Sequence, residues 1–306
     1  MRRPLLFALL VVLAGLPLTA RQGKRPPDSG SVDLVELDVL ALDRDGRTVT
    51  DLRREDFEIK DDGHVVDIKT FTPPSPAGDP DRAGRQLVLL LDDSSVPMSG
   101  TSVVQAMAQA ILSRQESGDE VTVVRLNNDH DEPFGDLETA LTRILQYHAG
   151  AVPFQGIGTG ARALKVVTAV SRQLEAVDHR RKVIACIGGP RVCNVLEPQP
   201  QGYSVLWPAW VQAVTAAARA NVAVYAVMPL PAGSLLRLPG GLVQATGGDG
   251  FANAMKFERF VDNLWREATD YYMLGYWPSP TKHDLHSIDV KVRRKGVEVR
   301  ARRARG

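Results

Sequence analysis

Residues 85–95 read RQLVLLLDDSS. From Leu87 to Leu91 every side chain is apolar, the pattern of a strand buried on both faces. The run stops at Asp92-Asp93-Ser94-Ser95, two carboxylates and two hydroxyls at a strand end. Downstream, Val103, Met107 and Ile111 mark a helix, and Val121 to Leu126 form a second largely apolar strand. Helical patterns follow over Leu137–Tyr147 and Ala161–Leu174, then a third buried strand at Val183–Ile187 and a helix at Trp207–Ala220. Val222–Val227 is a fourth strand, and helices at Leu235–Ala245 and Phe257–Ala268 close the series. Apolar strands alternating with helices predict a doubly wound, mostly parallel α/β sheet.

The texture on either side of this block is different. Upstream, Val35, Leu37, Val39 and Ala41 alternate with Glu36 and Asp38, the period of a half-buried strand with its polar residues outward. Turn pairs Asp45-Gly46 and Asp62-Gly63 separate short extended stretches that run to Phe71. TPPSPAGDPDRAGR at 72–85 reads as a linker. Downstream, Tyr271 to Tyr276 is extended, Ile288, Val290 and Val292 alternate with polar residues, and Lys295-Gly296 turns the chain into Val297 and Val299. Neither β half has enough strands to be secure alone. The two ends are therefore expected to form one small β-sandwich-like domain, with the α/β domain inserted between its halves. The expected division is a signal peptide at 1–20, β domain at 31–73, Pro/Gly-rich linker at 74–85, α/β domain at 86–269 and β domain again at 270–304.

Arg2 and Arg3 precede an apolar run from Leu5 to Ala14, which reaches Ala20 before a polar stretch. A basic start, short apolar core and small terminal residue are the marks of a secretory signal. The run falls short of the roughly 20 residues that a spanning helix needs. The expected destination is therefore secreted or periplasmic, with no membrane span after cleavage. With 44% hydrophobic and 24% charged residues, the chain is neither disordered nor a polytopic membrane protein. Thirty-seven basic residues against thirty-six acidic ones give no reason to expect nucleic acid as a partner. Two cysteines are too few for a disulfide scaffold. Cys186 lies on a strand and Cys193 in the loop after it, so a bridge between them depends on that loop folding back.

Several stretches, in order, resemble the von Willebrand factor A-related proteins of the acidobacterial type. They are LDVLALDRDGRTVTDLRREDFEIKDDG at 37–63, RQLVLLLDDSS at 85–95, NVAVYAVMPLPAG at 221–233, ATGGDGFAN at 245–253, DYYMLGYWPS at 270–279 and SIDVKVRRKGVEVRARR at 287–303. The resemblance implies a metal-ion-dependent adhesion site at the carboxyl ends of the strands. An Asp-x-Ser-x-Ser loop, a Thr and a second Asp would there hold Mg²⁺ in an octahedron of hard oxygens.

Carried onto this chain, Asp92 and Ser94 match the first two ligands, and Thr159 in GIGTGA matches the Thr. Val96 takes the third position and has no side-chain oxygen. Gly188-Gly189-Pro190 stands where the second Asp belongs, and Met228 where relatives often carry an Asp. The metal set is thus Asp92, Ser94 and Thr159, degenerate, with a gap expected at Gly188. Asp93, Ser95, Gly188 and Gly189 complete the expected ligand-binding surface.

Other candidates read as ordinary surface. Asp129-His130-Asp131 reads as a solvated loop, His283 and His286 as a polar turn beside Asp284. Eight Lys and Arg in the last sixteen residues read as the charged outer face of an edge strand. No Gly-x-Ser-x-Gly elbow and no Walker-type lysine is present, so the chain is not expected to be an enzyme. The expected function is an exported, noncatalytic protein-binding or scaffold module with weak or absent metal binding and no other cofactor. Its partner would be a protein or extracellular ligand. The alternative is Mg²⁺-dependent adhesion through Asp92, Ser94 and Thr159, and an exported hydrolase comes third.

Overall fold

The computed structural model describes residues 34–75, 84–127, 136–150, 157–177, 181–196, 198, 205–229, 241–251, 257–278 and 285–305. The expected signal peptide, Asp129 to Asp131, His283 and Asp284 lie outside them.

In chain order the strands and helices begin with β1 (Val35–Leu42), β2 (Phe57–Asp61), β3 (His64–Val66) and β4 (Ile68–Thr72). The central block is β5 (Gln86–Leu91), α1 (Thr101–Leu112), β6 (Glu120–Arg125), α2 (Leu137–Leu145), α3 (Ile157–Glu175), β7 (Lys182–Ile187), α4 (Pro190–Cys193), α5 (Trp207–Arg219), β8 (Val222–Val227), α6 (Gly241–Ala245), β9 (Gly250–Phe251) and α7 (Phe257–Glu267). The chain returns through β10 (Tyr272–Tyr276), β11 (His286–Val292), β12 (Glu298–Ala301) and β13 (Ala304–Arg305).

The central block folds into the expected parallel α/β sheet, in the order β6-β5-β7-β8-β9, with β9 a short fifth strand beyond the four the sequence predicts. Strand β5 is buried throughout, and its period of two divides its leucines between two cores. Leu87, Leu89 and Leu91 pack with α1, α2 and α7; Val88 and Leu90 pack with α3, α4 and α5. Helix α7 supplies Phe257, Phe260, Val261, Leu264 and Trp265, the i, i+3, i+4 spacing of a single apolar stripe. In α1 the buried stripe runs through Val104, Met107, Ala108 and Ile111, while Val103 faces outward. Asp136 starts α2 by accepting from the Thr139 amide at 2.8 Å.

Both ends of the described chain build two four-stranded sheets, ordered β12-β1-β10-β4 and β13-β11-β2-β3. Leu37 pairs with Leu274 and Val39 with Tyr272 across β1 and β10, so the first strand needs the last segment to complete its sheet. One core serves both sheets: Leu37, Val39, Phe57, Ile59, Tyr272, Leu274 and Ile288 are all buried in it. Phe57, Phe71 and Tyr272 form a tilted ring cluster with centroids 5.0–6.0 Å apart. The Tyr272 hydroxyl accepts from Leu52 N and donates to Val49 O, both at 2.9 Å, fixing the loop between β1 and β2. In the β2–β3 turn, Asp62 and Gly63 both take positive φ (49° and 79°), as the tight hairpin requires.

Two expectations about polar faces are corrected here. Asp38 does not face water: it accepts a buried ion-pair contact from Arg181, which leads into β7, and a hydrogen bond from Asn221 Nδ2 at 2.8 Å. Alternation marks Asp38 as opposite the sandwich core, but the α/β block covers that side. The basic C-terminal segment is a solvated face only in part: Lys291, Arg293, Arg294, Lys295 and Arg303 are exposed, but three arginines are not. Arg300 bonds Glu267 at 2.6 Å and Asp249 at 3.2 Å, Arg302 is buried, and Arg305 grips the buried Asp61 at 2.8 Å. Among the described residues no helix is long and apolar enough to cross a membrane.

Candidate functional site

The polar cluster expected at the carboxyl ends of the strands forms around Asp92, which follows β5 directly and is fully buried. Its Oδ1 accepts three hydrogen bonds at 2.9 Å, from Ser94 N, Ser94 Oγ and Ser95 N. Its Oδ2 accepts from the Gly189 amide at 2.9 Å and from the Ser95 hydroxyl. The Asp92 carbonyl accepts from the Tyr147 hydroxyl at 2.6 Å. Five donors converge on one carboxylate, so its lone pairs are occupied from within the chain. Burial pushes the Tyr147 phenol well above its ordinary range, with the Asp92 and Asp93 charges adding to the effect. Tyr147 is therefore a neutral donor.

Asp93 faces the neighbouring strand end. Its Oδ1 accepts from Asn127 N at 3.2 Å and Asn127 Nδ2 at 2.8 Å, and Arg162 Nη1 on α3 donates to Asn127 Oδ1 at 2.5 Å. Burial raises the Asp93 carboxyl above the usual carboxylate range, opposed by the Asn127 amide bonds. Thr159 lies buried in the first turn of α3. The next residue, Gly160, is backed by Arg191 O and the Val195 side chain beyond β7. The GIGTGA stretch is helical from Ile157.

The structure does not leave a gap at Gly188. A Cβ built there would stand 2.2 Å from Asp92 Cβ and 2.7 Å from Asp92 Oδ2. Asp92 lies across the glycine and fills the space assigned to a second carboxylate. At Gly189 a Cβ would meet Ser95 Oγ at 2.4 Å. Both glycines permit close approach of one strand end to the other. Val96 is a core side chain packed with α1 and α2, and Met228 is equally buried on the opposite face. This donor set does not fit an octahedral Mg²⁺. The Asp92 carboxylate oxygens are already taken by five donors, Val96 has no oxygen to give, and Gly188 cannot carry a ligand without displacing the aspartate.

Cys186 and Cys193 are joined as a disulfide, settling what their spacing leaves open. The bridge spans the Gly188-Gly189 turn from β7 to α4 and pins the amide that binds Asp92. Tyr147 and Asn127 are not legible in the sequence as part of this site, because each is distant along the chain and enters it only through hydrogen bonds.

His286 belongs to β11 rather than to a polar turn. Its Nδ1 is 2.9 Å from Asp62 Oδ2. With Asp61 it makes a group whose ligand atoms lie within 4.8 Å of one another. Arg305 already holds Asp61 through Nε and Nη2, so this cluster is an ion-pair network.

No family model and no curated protein matches the chain. Among solved structures, it is similar to an aerotolerance-related membrane protein from Bacteroides fragilis NCTC 9343 with multiple mutations to serines, at 13% identity and a TM-score of 0.40. That match covers 60% of this chain and 98% of the other. The conserved hypothetical protein BatB from Bacteroides thetaiotaomicron matches at 13% identity and TM-score 0.38, over 60% of this chain and 99% of its own. The open conformation of the pilus adhesin SpaC from Lactobacillus rhamnosus GG matches at 10% identity and TM-score 0.40. There the match covers 81% of this chain and 47% of the adhesin.

Proposed function

We propose that this chain is an exported, noncatalytic protein-binding or scaffold module whose von Willebrand A-like domain presents a metal-free polar loop. The observation that carries this reading is the saturation of Asp92 by five internal donors. A carboxylate so engaged is a structural anchor for the loops after β5 and β7. The rim of this end is apolar and exposed: Met98, three residues beyond Ser95, is 77% exposed, and Leu196, beyond the disulfide, is 63% exposed. Exposed apolar side chains around a rigid polar centre suit contact with another protein.

Thermal melting in millimolar Mg²⁺ or Mn²⁺, followed by EDTA, tests the metal-free part. The expected outcome is an unchanged midpoint, and a rise reversed by EDTA would favour Mg²⁺-dependent adhesion. A screen of esterase, peptidase and phosphatase substrates should show no turnover. Turnover abolished by Ser94→Ala would establish a hydrolase instead. The binding surface is tested by pull-down from envelope extract with wild type and Met98→Asp. A partner retained by the first and lost by the second supports the proposal; equal retention moves the surface elsewhere.

A further inference from the structure

At the opposite, amino end of the sheet the structure holds a second polar site. A cavity of about 530 Å³ is lined by Glu36, Glu175, Arg219, Asn221, Arg302 and Arg305, together with short apolar stretches of the chain. Arg302 is the group that sets this cavity apart. It is 8% exposed, and its Nη1 donates to Ala218 O at 2.8 Å and to Asn221 Oδ1 at 3.3 Å. Those bonds satisfy the carboxyl end of α5.

The opposite edge of the guanidinium is unsatisfied. Nε is buried without a hydrogen-bond partner, and neither Nε nor Nη2 reaches an acceptor or a carboxylate among the described residues. Burial pushes the Arg302 pKa down to about 10, only partly opposed by Tyr276, Asp38 and Glu36. Its neighbour Arg305 is already paired with Asp61, so that charge is balanced. Arg219 is exposed at the last turn of α5 and makes no ion pair among the described residues. Two arginines that make no ion pair among the described residues thus line one cavity, with Glu36 and Glu175 exposed around it.

We propose that this cavity binds a small oxyanion, a carboxylate or phosphate group held by Arg302 Nη2 with Arg219 as a second cationic contact. A guanidinium this buried and without an ion pair is costly until such a partner arrives. The volume suits a small-molecule ligand. This site is independent of the Asp92 loop and does not depend on the function proposed for it.

Isothermal titration of the full chain with inorganic phosphate, and separately with malonate, at constant ionic strength tests the proposal. Saturable binding of either is expected, and which of the two binds more tightly separates a phosphoryl from a carboxylate ligand. Arg302→Gln should weaken that binding by about tenfold or more. Arg219→Gln should weaken it by about threefold while leaving the melting midpoint unchanged. If Arg302→Gln fails to fold, the Arg219 variant decides alone. No heat beyond that of chloride for either probe, or binding unaltered in the variants that fold, overturns the proposal.

Discussion

A Cβ on Gly188 would stand 2.2 Å from the Cβ of Asp92, so the glycine ending β7 is what lets the aspartate ending β5 lie across the strand ends. In that position Asp92 Oδ2 reaches the Gly189 amide, and Oδ1 gathers the turn through Ser94 and Ser95. The two strand ends are thus joined by a side chain rather than by an ion. Gly188→Ala is expected to destabilise the protein by about 1–3 kcal/mol, since neither neighbour can yield without breaking this set. Urea denaturation would measure it, and an unchanged midpoint would show that the contact relaxes freely. Gly188→Asp should be at least as damaging and should confer no Mg²⁺ binding in calorimetry.

Asp93 predicts a pH dependence of definite sign. Burial raises its carboxyl above the ordinary value of 3.8, so the folded state favours the neutral acid. The stability this gives is fully present below about pH 3.8 and is lost as pH rises through the higher folded-state value. Asp93→Asn keeps a side-chain oxygen for the Asn127 amide and removes the titration. Relative to wild type, the variant should gain stability across that window and then level off. Chemical denaturation at a series of pH values reads the difference directly; a difference independent of pH would refute the assignment.

The legible and illegible parts of the molecule divide on one physical distinction. Leu87 to Leu91 announces a strand covered on both sides, because a short apolar run without alternation has no face to offer water, and both of its cores are present. Asp92 and Ser94 are identifiable as a cluster because a strand end places them together. Asp38 is deceptive because alternation tells which side a residue faces, not whether water or another layer lies there. Arg300, Arg302 and Arg305 are deceptive for the same reason: their partners Glu267, Asn221 and Asp61 lie far away in sequence. The gap expected at Gly188 follows only from a missing ligand. Space vacated by a side chain is taken by its neighbour, and here the neighbour is Asp92.

The disulfide should hold the Gly188-Gly189 turn against both unfolding and local opening. Cys186 and Cys193 are seven residues apart, and closing a loop that short stabilises by about 2–3 kcal/mol on the chain-entropy view. The paired Cys186→Ala, Cys193→Ala variant should lose stability of that order. It should also exchange the Gly189 amide hydrogen faster under native conditions, because that amide depends on the turn staying against Asp92. Mass-resolved hydrogen exchange would separate the effects. Lower global stability with Gly189 protection falling only in proportion would mean the bridge does not specifically support the site.

The seam between sandwich and sheet makes the last prediction. The Arg181 and Asp38 side chains are only 4% and 5% exposed, and they pair between β1 and the segment leading into β7. Arg181 also lies over the Tyr271 ring at 5.0 Å, and Asn221 holds the other Asp38 oxygen. Removing one member leaves a buried charge without its counter-ion. Asp38→Ala should therefore cost about 3–5 kcal/mol, more than the net worth of the pair itself. The double variant Asp38→Leu, Arg181→Met removes both charges and should recover a substantial part of that loss. A double-mutant cycle by urea denaturation gives the coupling directly. If the single and double variants are equally unstable, the loss comes from packing at the seam and the ion pair is not what joins the two layers. If the double variant is more stable than wild type, the pair is a buried electrostatic liability that the Asn221 amide and the Tyr271 ring make tolerable.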